Sequence, residues 1–92
     1  MGKYQVVATE KARADLNEVA RSGNKQMMRK IEKLIKELEE HPTIGTGKPE
    51  LLKGKTGIWS RRIDKKNRLI YTIKDAEIVV LILAAIGHYN DK

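Results

Sequence analysis

The chain has 92 residues, too few for two independent hydrophobic cores, and 40% of them are hydrophobic, enough for one. Cysteine is absent, which removes disulfides and thiolate metal sites; the only histidines are His41 and His88, so no metal or other cofactor is expected. Nineteen Lys and Arg against twelve Asp and Glu give a net charge of +7, which suits a polyanionic partner without separating RNA from DNA or from an acidic protein.

Lys3–Ala8 (KYQVVA) reads as a first strand, after which the Thr9 hydroxyl caps a helix. Ala12, Leu16, Val19 and Ala20 recur at helical spacing, and Ser22-Gly23-Asn24 breaks the segment. Asn24 caps a longer helix to about Glu40, with Met27, Ile31, Leu34, Ile35 and Leu38 as its apolar stripe; His41-Pro42 stops it. Residues 43–57 read as a Gly- and Lys-rich loop. Strand-like segments follow at Ile58–Ile63, at Arg68–Lys74 after the turn Asp64–Asn67, and at Glu77–Ile86. The last is a continuous apolar run, expected to be a central strand covered over much of its length. The sum is one α+β domain over residues 1–92, with two N-terminal helices on one face of a small antiparallel sheet and the other face open.

Val6–Ala8 is too short for the apolar part of a signal peptide, and Ile78–Ile86 is about half of a membrane span, so a soluble cytoplasmic protein without membrane contact is expected. Alternation places Leu69, Tyr71 and Ile73 toward the helices, with Arg68, Ile70 and Thr72 opposite. Trp59, Arg61 and Ile63 share a face, Ser60 and Arg62 the other, so Arg62 and Arg68 project from the open side. Arg61 then falls among apolar neighbours, where snorkelling at an edge is the available reading.

The loop sequence GTGKPE lacks the spacing of a nucleotide-binding loop, and Pro49 interrupts the helix that should follow one. The remaining candidates are dispersed: Glu50, Lys53, Arg62, Arg68, His88 and Tyr89. Together they contain the parts for cutting RNA without a metal. A carboxylate can take the proton of a ribose 2′-OH, an imidazolium can protonate the departing 5′ oxygen, and Arg or Lys can hold the charge on the phosphorane.

The stretch GKPELLKGKTGIWSRRIDKKNRLIY, with the His-Tyr near the end, resembles the Txe/YoeB branch of the RelE-type toxins of bacterial type II toxin–antitoxin modules. The resemblance covers essentially the whole chain, with its specific motifs at residues 45–89. It implies a microbial-ribonuclease-like RelE toxin fold and a ribosome-dependent endoribonuclease that cleaves mRNA in the A site of the 70S ribosome and so inhibits translation. Partners implied are mRNA, the ribosome, an acidic and partly disordered antitoxin, and operator DNA reached indirectly through the antitoxin complex. By motif, Glu50 takes the general-base position, His88 the general acid, and Arg68 the transition-state arginine. Lys53 and Arg62 take phosphate contacts, and Tyr89 an aromatic that places the substrate. Two features depart from the pattern: the Lys53–Trp59 loop is one residue shorter, and Asn90-Asp91-Lys92 extends past Tyr89. The competing readings are a ParE-like inhibitor of DNA gyrase and a non-catalytic basic binding module. The second requires Glu50 and His88 to lie too far apart to flank one phosphate.

Overall fold

The computed structural model describes residues 3–86. Strand β1 (Gln5–Ala8) leads into helices α1 (Glu10–Ser22) and α2 (Lys25–Glu40). Strands β2 (Glu50–Leu51), β3 (Ile58–Arg62), β4 (Arg68–Lys74) and β5 (Val79–Ala84) follow, with one turn of 3₁₀ helix, Asp75–Glu77, before β5. Both helix starts are set by their caps: Thr9 Oγ1 accepts from the Ala12 N–H at 3.1 Å and Asn24 Oδ1 from the Met27 N–H at 3.0 Å. Each such bond satisfies a donor that the helix itself leaves unpaired and contributes about 1 kcal/mol. Gly23 closes α1 at φ 78°, a left-handed conformation that glycine adopts without the steric penalty of a Cβ. No helix among the described residues is long and apolar enough to cross a membrane.

The five strands form one sheet in the order β1-β5-β4-β3-β2. The antiparallel run from β2 to β5 matches the expected meander. The sheet is nevertheless mixed, because β1 pairs parallel with β5, Val6 opposite Val80 and Ala8 opposite Ile82. The apolar β5 could not be left as an edge, and β1 supplies the pairing its outer side needs. Further boundaries differ from the sequence reading: β1 begins at Gln5 rather than Lys3, β3 ends at Arg62 rather than Ile63, and β5 ends at Ala84 rather than Ile86. Glu50 and Leu51 leave the loop to pair with Ser60 and Trp59 of β3, and Glu77 belongs to the 3₁₀ turn rather than to β5.

Helices and sheet meet in a core built from Ala12, Val19, Ile31, Leu34 and Leu38 on one side and Leu69, Tyr71, Val80, Ile82 and Ala85 on the other. Each buried Leu, Ile or Val side chain contributes about 1.5–3 kcal/mol. The stripe of α2 faces inward as its spacing requires, whereas α1 differs from expectation. Its third fully inward position is Asp15, while Ala20 is exposed. Asp15 accepts from Lys11 Nζ through both oxygens at 2.8 Å and from the Ala85 N–H at 3.0 Å, so the buried carboxylate is both paired and hydrogen-bonded.

That backbone N–H is presented by a bulge. Ile70 pairs with Ala84 but Tyr71 with Ile82, leaving Leu83 as the extra residue of β5. The shift turns Ala84 onto the face away from the helices and Ala85 into the core. On that far face Ser60, Ile70 and Ala84 are buried, so the surface expected to be open is closed along one row. Short side chains at Ser60 and Ala84 sit low beside the longer Arg62, Arg68 and Leu81.

Candidate active site

The row across the sheet that contains Ser60 also contains Glu50 and Ile70, and the next row pairs Arg62 directly with Arg68. Side chains two apart along a strand share a face. Glu50, Ser60, Arg62 and Arg68 therefore all rise from the face opposite the helices. Glu50 Oε2 lies 3.7 Å from Arg68 Nη1, an ion pair with the carboxylate 58% and the guanidinium 34% exposed. That separation is too long for a hydrogen bond, so the pair holds the two groups near each other without locking them. Like charges directly opposite across two strands destabilise a sheet. Arg62 makes no ion pair with any described carboxylate, and an anion placed between the two guanidinium groups is what this arrangement is suited to accept.

The loop that delivers Glu50 is fixed from below by Arg61, which is wholly buried. Its five N–H donors meet five acceptors. Nε donates to Tyr71 Oη at 3.3 Å, and Nη1 to Glu37 Oε1 at 2.8 Å and the Thr46 carbonyl at 3.3 Å. Nη2 donates to the Ile44 carbonyl at 2.8 Å and to the His41 carbonyl. Snorkelling at an edge is thus incorrect. The side chain crosses the core side of the sheet and organises residues 41–46, because the carbonyls of that loop would otherwise be buried without donors. Glu37 completes the arrangement, accepting from the Thr46 N–H at 2.8 Å and the Thr46 hydroxyl at 2.6 Å. Burial raises the pKa of Glu37, but the bonds from Thr46 and Arg61 outweigh it and hold the carboxyl below its ordinary value. Burial likewise pushes the Tyr71 phenol up, Arg61 offsetting part of the effect. The neutral hydroxyl donates to the Pro42 carbonyl at 2.7 Å.

Gly47 explains why the loop sequence needs glycine. Its carbonyl accepts from the Arg62 N–H at 2.7 Å. A Cβ there would lie 2.9 Å from the Arg62 carbonyl oxygen, and its φ is +85°. The loop can therefore lie flat on β3, and the chain reaches Glu50 in register with Ser60.

Of the residues singled out in the sequence, the structure brings together Glu50, Arg62 and Arg68. Lys53 is exposed in the turn after β2, with no hydrogen bond or ion pair to the other three. His88 and Tyr89 lie outside the described residues, as does the Glu50–His88 separation that would decide for or against a purely binding protein. Arg61, Glu37, Thr46 and Asp15 were missed as parts of the supporting framework. The signals were present as violations of pattern: an arginine on the apolar side of β3, and an aspartate at a core spacing of α1. Among the described residues no group of three His, Asp or Glu side chains converges to hold a metal ion. A separate hollow of about 450 Å³, lined by residues including Asn24, Lys30, Lys33 and Ile63, lies at the corner of α2 and the β3–β4 turn, away from the Glu50–Arg68 pair.

A small α+β protein with two helices behind a five-stranded sheet and a carboxylate–arginine pair on the free face belongs to the RelE-like class of toxin folds. The family model for the YoeB-like toxin of bacterial type II toxin-antitoxin systems matches residues 9–89, and the chain belongs to that family. The Toxin YoeB of Synechocystis is 43% identical over 68 residues, 73% of this chain and 77% of that protein. Among solved structures, a YoeB/ParE toxin from Agrobacterium tumefaciens superposes with a TM-score of 0.84 at 32% identity, covering 92% of this chain and 99% of that one. A YoeB–YefM complex from Staphylococcus aureus gives 0.78 at 34% identity, covering 94% and 98%.

Proposed function

We propose that this chain is a ribosome-dependent mRNA endonuclease that cuts mRNA in the ribosomal A site and thereby stops translation. The observation that carries the reading is the Glu50–Arg68 pair, set 3.7 Å apart beside Arg62 on the helix-free face. Family membership supports the choice of RNA as substrate.

In this mechanism Glu50 removes the proton of a ribose 2′-OH, and the 2′ oxygen attacks the adjacent phosphorus. Charge accumulating on the phosphorane is met by Arg68 and Arg62, with Lys53 as an outer phosphate contact. His88 donates a proton to the departing 5′ oxygen, and Tyr89 places the nucleotide. The products are a 2′,3′-cyclic phosphate and a 5′-hydroxyl, and neither proton transfer requires a metal ion. The protein acts in the cytoplasm, where its ribosomes and message are. A cognate antitoxin, acidic to match the +7 chain, restrains it, and operator DNA is reached only through that complex.

The test is primer extension on messages translated with purified protein. Cuts within codons ending in cyclic phosphate are expected, and their loss in Glu50→Gln and in His88→Ala. Cleavage undiminished in the double variant would remove the acid–base assignment. Inhibition of gyrase supercoiling with translation untouched would establish the gyrase reading instead.

A further inference from the structure

Ser60 occupies the middle of the candidate site and has no part in the mechanism described so far. It is wholly buried, and its hydroxyl has no hydrogen-bond partner among the described residues. Buried hydroxyls in native proteins are nearly always paired, so an orphan calls for a reason. Its neighbours across the sheet are Glu50 on one side and Ile70 on the other. Directly opposite Cβ atoms in an antiparallel pair stand about 4.5–5.5 Å apart, a gap that a glutamate closes by rotating its side chain. In the present structure the Glu50 carboxylate is instead turned toward Arg68. A phosphate bound by Arg68 and Arg62 competes for that guanidinium and releases the carboxylate.

We propose that Ser60 is a positioning residue for Glu50, its O–H donating to the Glu50 carboxylate once substrate phosphate occupies the arginine pair. The bond fixes the rotamer of the base and aims its other oxygen at the 2′-OH. Ile70, the other flank of Ser60, has no polar side-chain atom to offer. This inference rests on the endonuclease reading above.

The experiment is single-turnover cleavage on message-programmed ribosomes, with thermal melting in parallel, for wild type, Ser60→Ala, Ser60→Cys and Ser60→Thr. Alanine and cysteine are expected to slow cleavage about tenfold or more, the effect of one hydrogen bond to a charged group. Threonine, which keeps the hydroxyl, recovers activity. Alanine melts at or above the wild-type temperature, since it removes an unpaired polar atom from a buried place. A Ser60→Ala protein that cuts at the wild-type rate overturns the assignment, as does a Ser60→Thr protein no faster than the alanine variant. So does a loss of rate matched by a fall in melting temperature in both the alanine and cysteine variants. Wild-type protein that fails to cut at all would show the failure of the endonuclease reading itself, before any variant is compared, and this inference would fall with it.

Discussion

Replacing Arg61 with methionine removes all five hydrogen bonds of a buried guanidinium while keeping an unbranched apolar side chain in its place. Three of the abandoned acceptors are loop carbonyls, at His41, Ile44 and Thr46; the other two are the Tyr71 hydroxyl and the Glu37 carboxylate, whose side chain is 24% exposed. Glu37 keeps its bonds from Thr46 and can recover some water, so the loss falls short of a fully stranded charge. Breaking one side of a buried pair costs about 3–5 kcal/mol, and the partial exposure of Glu37 places this case at the lower end, about 3 kcal/mol. For a domain of this length, on the order of 4–8 °C of melting temperature goes with each kcal/mol, so a fall of roughly 12–24 °C follows. Lysine should fare little better, because one ammonium with three donors cannot span the acceptors that the planar fork reaches. The measurement is thermal unfolding by circular dichroism, paired with hydrogen exchange at residues 41–47. Exchange should quicken most there, and the Glu50 loop should lose protection in variants that remain folded. A methionine variant that melts within a degree or two of wild type, with unchanged exchange in this loop, would refute the reasoning. The loop would then be held by Gly47 and the β2–β3 pairing alone.

Glu37→Gln should flatten the acid side of the stability profile. The folded-state pKa of Glu37 lies below its unfolded value, so its stabilisation is complete above the ordinary glutamate value of about 4.3 and is lost as pH falls through the lowered folded value; equal acid midpoints for both proteins in denaturant titrations would contradict this. Asp15→Ala strips the buried Ala85 N–H of its acceptor and should cost about 1–3 kcal/mol, whereas Asp15→Asn keeps an acceptor oxygen and should cost less; urea midpoints would separate the two. Ile78 is a β-branched residue held at φ 56°, where the backbone penalty is about 1–2 kcal/mol, and it is 46% exposed. Ile78→Asn should therefore raise the melting temperature by several degrees, and a lower value would mean that contacts of the isoleucine outweigh the strain.

Local chemistry was legible in the sequence. Thr9 and Asn24 announced the helix starts, the stripe from Met27 to Leu38 announced which side of α2 is buried, and Asp64 with Asn67 marked the hairpin turn. In that turn the Asp64 carboxylate does accept from the Lys66 and Asn67 N–H groups at 2.9 and 2.8 Å. Parity along β3 and β4 put Arg62 and Arg68 on one face, and their direct opposition in the sheet agrees. These features depend on residues a few positions apart, whose spacing fixes their geometry whatever the rest of the chain does.

Long-range pairing decided the remainder. β1 beside β5 joins segments more than seventy residues apart, and no periodicity in either states that they lie parallel. β2 is too short to carry a pattern of its own. It exists because Gly47 lets the loop lie on β3, and only that contact puts Glu50 in the row of Ser60 and within reach of Arg68. Arg61 and Asp15 look misplaced in sequence, since a charge on an apolar face is costly until its partners are known. Those partners are loop carbonyls, a glutamate on α2 and a bulged N–H at the end of β5. The residue types for the proposed chemistry were set by the sequence. Their convergence on one face was set by tertiary structure, because a hydrogen-bonded sheet brings distant segments into register only when the chain has folded.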